Sequence, residues 1–161
     1  MHLLHRLSLV SIVIFLDQLS KWAVLGGLSV KEMVPITSFF NLALTLNRGV
    51  SFGFFPAHTL LGKGILVIIG VGFVSWLTVC LVRAETKLEI FSYSFIIGGA
   101  LGNIVDRVRF GAVVDFLHFH LCNHSFPVFN IADSAITVGV ALLFIQQAWH
   151  LRKKKRGHGF I

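Results

Sequence analysis

The chain has 161 residues, of which 55% are hydrophobic and only 13% charged, and its formal net charge is +7. That length suits one domain rather than two, and the composition excludes an ordinary soluble globule, which would expose large apolar patches to water. Nucleic acid is excluded as the partner behind the positive charge: five of the fourteen basic residues form one run, Arg152-Lys153-Lys154-Lys155-Arg156, and no basic face interleaved with aromatics occurs elsewhere.

A helix needs about 20 mostly apolar residues to span a bilayer core, with about 17 as a lower limit. The first candidate, about 7–25, is interrupted by Asp17 and Lys21. Those ionic residues, and the lack of a small-x-small cleavage site, favour an uncleaved helix over a leader peptide. The connection 27–62 follows, in which 39–46 (Phe-Phe-Asn-Leu-Ala-Leu-Thr-Leu) alternates as a short strand does. The second helix, about 64–83, is the clearest, with no charge between Lys63 and Arg83. The third, about 89–107, carries Gly98, Gly99, Ala100 and Gly102, small residues that let helices approach closely. In the connection 107–131, the β-branched and aromatic run 112–121 predicts another strand. The fourth helix, about 132–150, ends at His150 and the basic run, which suits a juxtamembrane anchor on anionic lipid. Cys80, inside an apolar run, is a small hydrophobe, so a disulfide with Cys122 is not expected.

The expected fold is an all-α integral membrane protein of four transmembrane helices, with short β-strand elements in the external loops, forming one domain over residues 1–161. Arg6, the Arg83/Lys87 loop and the terminal run share a side, which the positive-inside rule makes the cytoplasm. The two longer connections then lie outside.

The seven acidic residues divide by position. Glu32, Glu85 and Glu89 fall in connections and can be solvated. All four aspartates, Asp17, Asp106, Asp115 and Asp133, fall within or at the ends of apolar segments, where an ionisable group costs roughly 2.5–3.5 kcal/mol on insertion scales. Asp17 and Lys21 share a helix face, either as a neutralising ion pair or as a substrate contact. Asn103 and Asp106, with Arg107 beside them, read equally as a hydrogen-bond cluster satisfying the helix end or as a functional set. Asn130 and Asp133 repeat the three-residue spacing where the fourth helix begins, the pattern of an N-cap and a first-turn carboxylate stabilised by the helix dipole. Asp115, between Val114 and Phe116, has no local basic partner, and such surroundings favour the neutral acid. One carboxyl in an apolar setting and one at a helix N-terminus suit a dyad that shares a proton.

Five blocks in order carry a resemblance. They are 17–21 (Asp-Gln-Leu-Ser-Lys), 47–53 (Asn-Arg-Gly-Val-Ser-Phe-Gly), 98–107 (Gly-Gly-Ala-Leu-Gly-Asn-Ile-Val-Asp-Arg), 113–116 (Val-Val-Asp-Phe) and 129–133 (Phe-Asn-Ile-Ala-Asp). With them the chain resembles the lipoprotein signal peptidase (signal peptidase II) family over nearly its whole length. The resemblance implies an aspartic endopeptidase of the bacterial inner membrane, with its active site near the external face. Its substrate would be a prolipoprotein whose cysteine already carries diacylglycerol, cleaved before that cysteine. By resemblance Asp115 and Asp133 are the catalytic pair, Asn103 and Asn130 support it, and Asn47 and Arg107 line the substrate pocket. Asp17, Lys21 and Asp106 serve the fold or the substrate path. No metal or organic cofactor is implied, and the expected partners are prolipoprotein substrates and membrane lipids, with the chain a monomer. Val50-Ser51 stands where the family often has small residues, a mild departure.

Two rivals follow from the residues alone. His118, His120, Cys122 and His124 alternate, so one strand would present all four as a zinc or copper set. Asp115 would then face the other way. Intramembrane carboxylates also serve proton-coupled transporters, but those show repeated halves and broken helices, and no repeat is visible here.

Overall fold

The computed structural model describes residues 3–49, 59–122 and 124–157. Four helices, α1 (Leu3–Gly27), α2 (Leu60–Arg83), α3 (Lys87–Phe110) and α4 (Ile131–Gly157), account for most of it. Strands β1 (Met33–Pro35) and β2 (Phe40–Asn47) lie between α1 and α2, and β3 (Val113–Leu121) and β4 (His124–Ser125) lie between α3 and α4. Each helix contains a stretch of 22 to 24 residues long and apolar enough to cross a bilayer. The helices run past the hydropathy limits, most visibly at 151–157, because backbone hydrogen bonding continues after the apolar residues end.

Helix α3 is the hub. Half of its spanning window is buried, against 22% for α1 and 17% each for α2 and α4. Lipid supplies no hydrophobic drive between helices, so close packing and polar bonds must hold the bundle. Glycines make that packing possible: a Cβ on Gly98 would lie 2.6 Å from Val13 Cβ, and one on Gly99 would strike the Ala132 carbonyl oxygen. A Cβ on Gly102 would collide with the Asp17 carboxylate. The outward faces carry Trp22, Ile68, Trp76 and Phe144, at 60–73% exposure, a surface suited to acyl chains rather than water.

The two ends of the bundle differ in character. At one, Arg6 donates from Nη1 to the carbonyls of Leu81 (2.6 Å) and Val82 (2.9 Å) and from Nη2 to that of Ala84 (3.1 Å), closing the C-terminus of α2. Thr86 and Glu89 form a capping box that starts α3, so Glu89 is a helix cap rather than a solvated loop residue. Gln146 Nε2 donates to Thr86 Oγ1 at 3.0 Å and brings the last part of α4 to the same end. The basic residues Arg6, Arg83 and Lys87 therefore gather there. The opposite end carries the sheet.

That sheet is antiparallel, in the order β1-β2-β3-β4. In the β2–β3 pairing, Leu42 faces Leu117 and Thr45 faces Asp115, so β2 carries one extra residue between them. This bulge explains why Ala43 and Leu44, consecutive in sequence, are both buried at 2% and 1%. Helix α3 ends at Gly111, in the left-handed region (φ 67°), whose N–H donates to Arg107 O at 3.0 Å, and the chain turns directly into β3.

The four alternating donors of the rival metal reading do not form one row. His118 and His120 lie on β3 with rings 5.7 Å apart, but the strand ends at Leu121. Cys122 occupies the turn, at φ 51°, and His124 belongs to β4, because the hairpin reverses the chain before the alternation can continue. His118 is also engaged by Asn41 Nδ2 (3.1 Å) and Ser125 Oγ (2.7 Å). Among the described residues, no three His, Cys, Asp or Glu side chains gather as a metal site would require.

Candidate active site

The backbone of 130–133 forms a cap in both directions. Asp133 N donates to Asn130 Oδ1 at 2.9 Å, and Asn130 N donates to Asp133 Oδ2 at 3.3 Å. With its oxygen used in this way, the Asn130 amide points Nδ2 across to β3. It donates there to Asp115 Oδ1 (2.7 Å), Val114 O (3.2 Å) and Asn103 Oδ1 (3.2 Å). Asn103, on α3, donates from Nδ2 to Asp133 Oδ1 at 2.8 Å. Asp115 and Asp133 are thus joined through two amides, Asn130 on Asp115 and Asn103 on Asp133, which are bonded to each other.

Asn47, at the end of β2, donates to the other Asp115 oxygen, Oδ2, at 3.0 Å. It is exposed, so it stands at the rim of the site, and its Oδ1 accepts from Gly49 N at 3.0 Å. Residues 50–53 of that block lie outside the described residues. Arg107 makes no hydrogen bond to either aspartate. Its Nη1 donates to Asn103 O at 3.3 Å, its buried Nε has no partner among the described residues, and its charge acts on Asp133 and Asp115 from a distance.

Behind the pair lies a buried ionic cluster. Lys21 Nζ lies 2.8 Å from Asp17 Oδ2, 2.8 Å from Asp106 Oδ2 and 3.1 Å from Asn103 Oδ1. The i,i+4 pair expected in α1 is present, but Asp106 is a second partner that helical spacing could not reveal. Nor does Asp106 satisfy the end of its own helix. It accepts from Val114 N at 3.0 Å, and Asp17 Oδ1 accepts from Ala132 N at 2.9 Å. Each of these carboxylates therefore holds the peptide N–H of the residue just before one member of the pair. Gln18, whose role the sequence did not reveal, links Asp17 (3.1 Å), Asp106 (2.9 Å) and Gly102 O (3.2 Å). Its signal was a second polar side chain beside Asp17 in an apolar helix. One ammonium between two carboxylates leaves surplus negative charge, which these N–H donors spread.

Burial pushes the Asp115 carboxyl up to about 6, with the nearby Asp133 charge acting in the same direction, while bonds from Asn47 and Asn130 oppose the rise. The native state then holds this proton more tightly than the unfolded chain. Stability is full below the unfolded value of 3.8, falls as pH rises towards about 6, and is level above. A rise of this size corresponds to about 3 kcal/mol, and losing the Asn47 bond returns about 1 kcal/mol. Asp115→Asn is therefore expected to melt higher than the unaltered protein at neutral pH, with the advantage gone near pH ~4. Thermal melts in detergent across that range check it.

Two carboxyls held by shared amides, at one end of a membrane-spanning bundle, have the makings of a membrane-embedded aspartic peptidase. Residues 9–149 match the family model described as Signal peptidase (SPase) II. A lipoprotein signal peptidase of Burkholderia vietnamiensis is 44% identical over 144 residues, covering 88% of this chain and 86% of that protein. One from an Azoarcus species is 42% identical over 142 residues, covering 88% and 81%. A solved structure, a bacterial membrane enzyme determined by the in meso method, aligns with a TM-score of 0.79 at 25% identity, over 99% of this chain and 94% of that one. The chain belongs to the signal peptidase II family.

Proposed function

We propose that the chain removes signal peptides from bacterial prolipoproteins carrying diacylglyceryl-cysteine, by hydrolysis between Asp115 and Asp133. One observation carries this reading: Asn130 caps Asp133 with its backbone and carbonyl group while its Nδ2 holds Asp115 Oδ1 at 2.7 Å. In the form of the pair that carries one proton, that proton sits on Asp115, whose carboxyl is raised to about 6. Asp133 takes a proton from water as its oxygen attacks the scissile carbonyl carbon, and Asp115 gives its proton to the carbonyl oxygen. Collapse of the tetrahedral intermediate breaks the C–N bond, the amine leaving with the proton held by Asp133 while Asp115 takes back a hydroxyl proton. Asn47 at the rim and the Arg107 cation line the substrate side, and Asn103 steers Asp133. The test is cleavage of a diacylglyceryl-modified prolipoprotein by purified protein in detergent. An unmodified precursor cleaved equally well would remove the lipid from the reading.

Asn130→Ala is expected to lower turnover less than Asp133→Asn does, since the amide positions a proton carrier without being one. A lost cap costs about 1 kcal/mol of stability. Equal losses of kcat in two folded variants would contradict this ranking.

We read the chain as a single-domain monomer surrounded by lipid, with both termini cytoplasmic and the aspartates near the external face. Support comes from the gathering of Arg6, Arg83 and Lys87 at the end opposite the sheet. Reporter fusions at His158 and in the 84–86 connection are expected to read cytoplasmic. A fusion near His58, outside the described residues, should read external, and a cytoplasmic signal there would sink this topology.

A further inference from the structure

Between the start of α2 and the end of α3, at the end of the bundle that carries the aspartates, lies a cleft of about 580 Å³. Its lining includes Lys63, Arg107 and Arg109 and, further along, Gly64, Ile68 and Val108. No carboxylate lies within ion-pair distance of Lys63 or Arg109 among the described residues; Arg109 instead rests over the Phe110 ring at 5.0 Å. Arg107 differs, because the aspartates act on its charge, yet its buried Nε also lacks a partner among the described residues. The N-terminal end of α2 adds a positive dipole.

The other half of the cleft is apolar and open. Ile68 is 72% exposed, Val108 69%, and a Cβ on Gly64 would meet nothing within 4 Å. A cationic rim above an apolar trough complements an amphiphile, since a free phosphate ion would use only the rim. We propose that this cleft binds one anionic diacyl phospholipid, its phosphate between Lys63 and Arg109 and an acyl chain along Gly64, Ile68 and Val108. The site adjoins the aspartate pair without including it, and a lipid there would brace α2, which packs chiefly on α3.

Native mass spectrometry of the full chain in detergent provides the test, with phosphatidylglycerol, phosphatidylcholine of the same acyl chains, and inorganic phosphate as probes. Phosphatidylglycerol is expected to bind more tightly than phosphatidylcholine. Lys63→Gln and Arg109→Gln should each weaken phosphatidylglycerol about fivefold while leaving phosphatidylcholine unchanged. Gly64→Leu fills the trough without a clash and should weaken both lipids. No headgroup preference in the unaltered protein would overturn the proposal. A preference that survives the Lys63→Gln/Arg109→Gln double variant would assign the lipid to the basic tail, overturning it equally. Displacement of phosphatidylglycerol by millimolar inorganic phosphate would sink the choice of a lipid. Prolipoprotein cleavage is read separately, so an unaltered protein that cleaves its substrate yet binds no phosphatidylglycerol overturns this site alone.

Discussion

Asp115→Asn and Asp133→Asn are each expected to abolish cleavage of lipidated precursor while leaving a folded protein. An amide can neither accept water's proton nor deliver one, and general acid–base contributions are worth about 10²–10⁴-fold each. The pH profile of the unaltered enzyme should be a bell. On the alkaline side, kcat/KM falls as the free pair loses its one proton, beginning near the value of about 6 to which burial raises Asp115. On the acid side it falls as the pair gains a second. These apparent values belong to the pair. Because the Asp133 charge is one cause of the Asp115 shift, Asp133→Asn should also lower the Asp115 titration, readable by infrared spectroscopy of the carboxyl band. Turnover close to that of the unaltered enzyme in either variant would end the aspartic mechanism.

The helices were legible because a bilayer leaves so few choices. Long apolar runs can only be spans, and every backbone group must be paired inside them. Strand β2 was legible from alternation, β3 from its β-branched and aromatic run, and the Asn130–Asp133 cap from a spacing of three. Partners brought together by folding were not legible. Asp115 takes its amides from Asn130, 15 residues on, and from Asn47, 68 residues back. Lys21 reaches Asp106 across two helices, and no periodicity within either helix encodes that contact. The rival row of His118, His120, Cys122 and His124 fails for a related reason. Alternation gives faces only while a strand continues, and nothing in those four residues marks the turn at Cys122. The family blocks name these residues without supplying the geometry that joins them.

The second large effect concerns the cluster behind the pair. Lys21 is 2% exposed and Asp17 and Asp106 are fully buried, so removing the ammonium leaves two carboxylates facing each other without a counter-charge. Breaking a buried ionic group in this way costs about 3–5 kcal/mol. Lys21→Met is therefore expected to melt far below the unaltered protein, and to lose activity with the fold. The triple variant Asp17→Asn/Lys21→Met/Asp106→Asn separates charge from position. An asparagine carbonyl can still accept from Ala132 N and Val114 N, so the residues preceding Asp133 and Asp115 stay held. Most of the melting temperature should return in the triple variant, as neutral replacements of buried ion groups often allow. Its kcat should stay below that of the unaltered enzyme, because Asn103 Oδ1 has lost the Lys21 donor that orients its amide towards Asp133. KM should change little, since the cluster lies behind the pair rather than in the substrate's path. Melts in detergent and a kcat-against-KM comparison decide the matter: a Lys21→Met protein as stable as the unaltered one would show that the cluster does not hold the site, and a triple variant with full kcat would show that it does not orient Asp133.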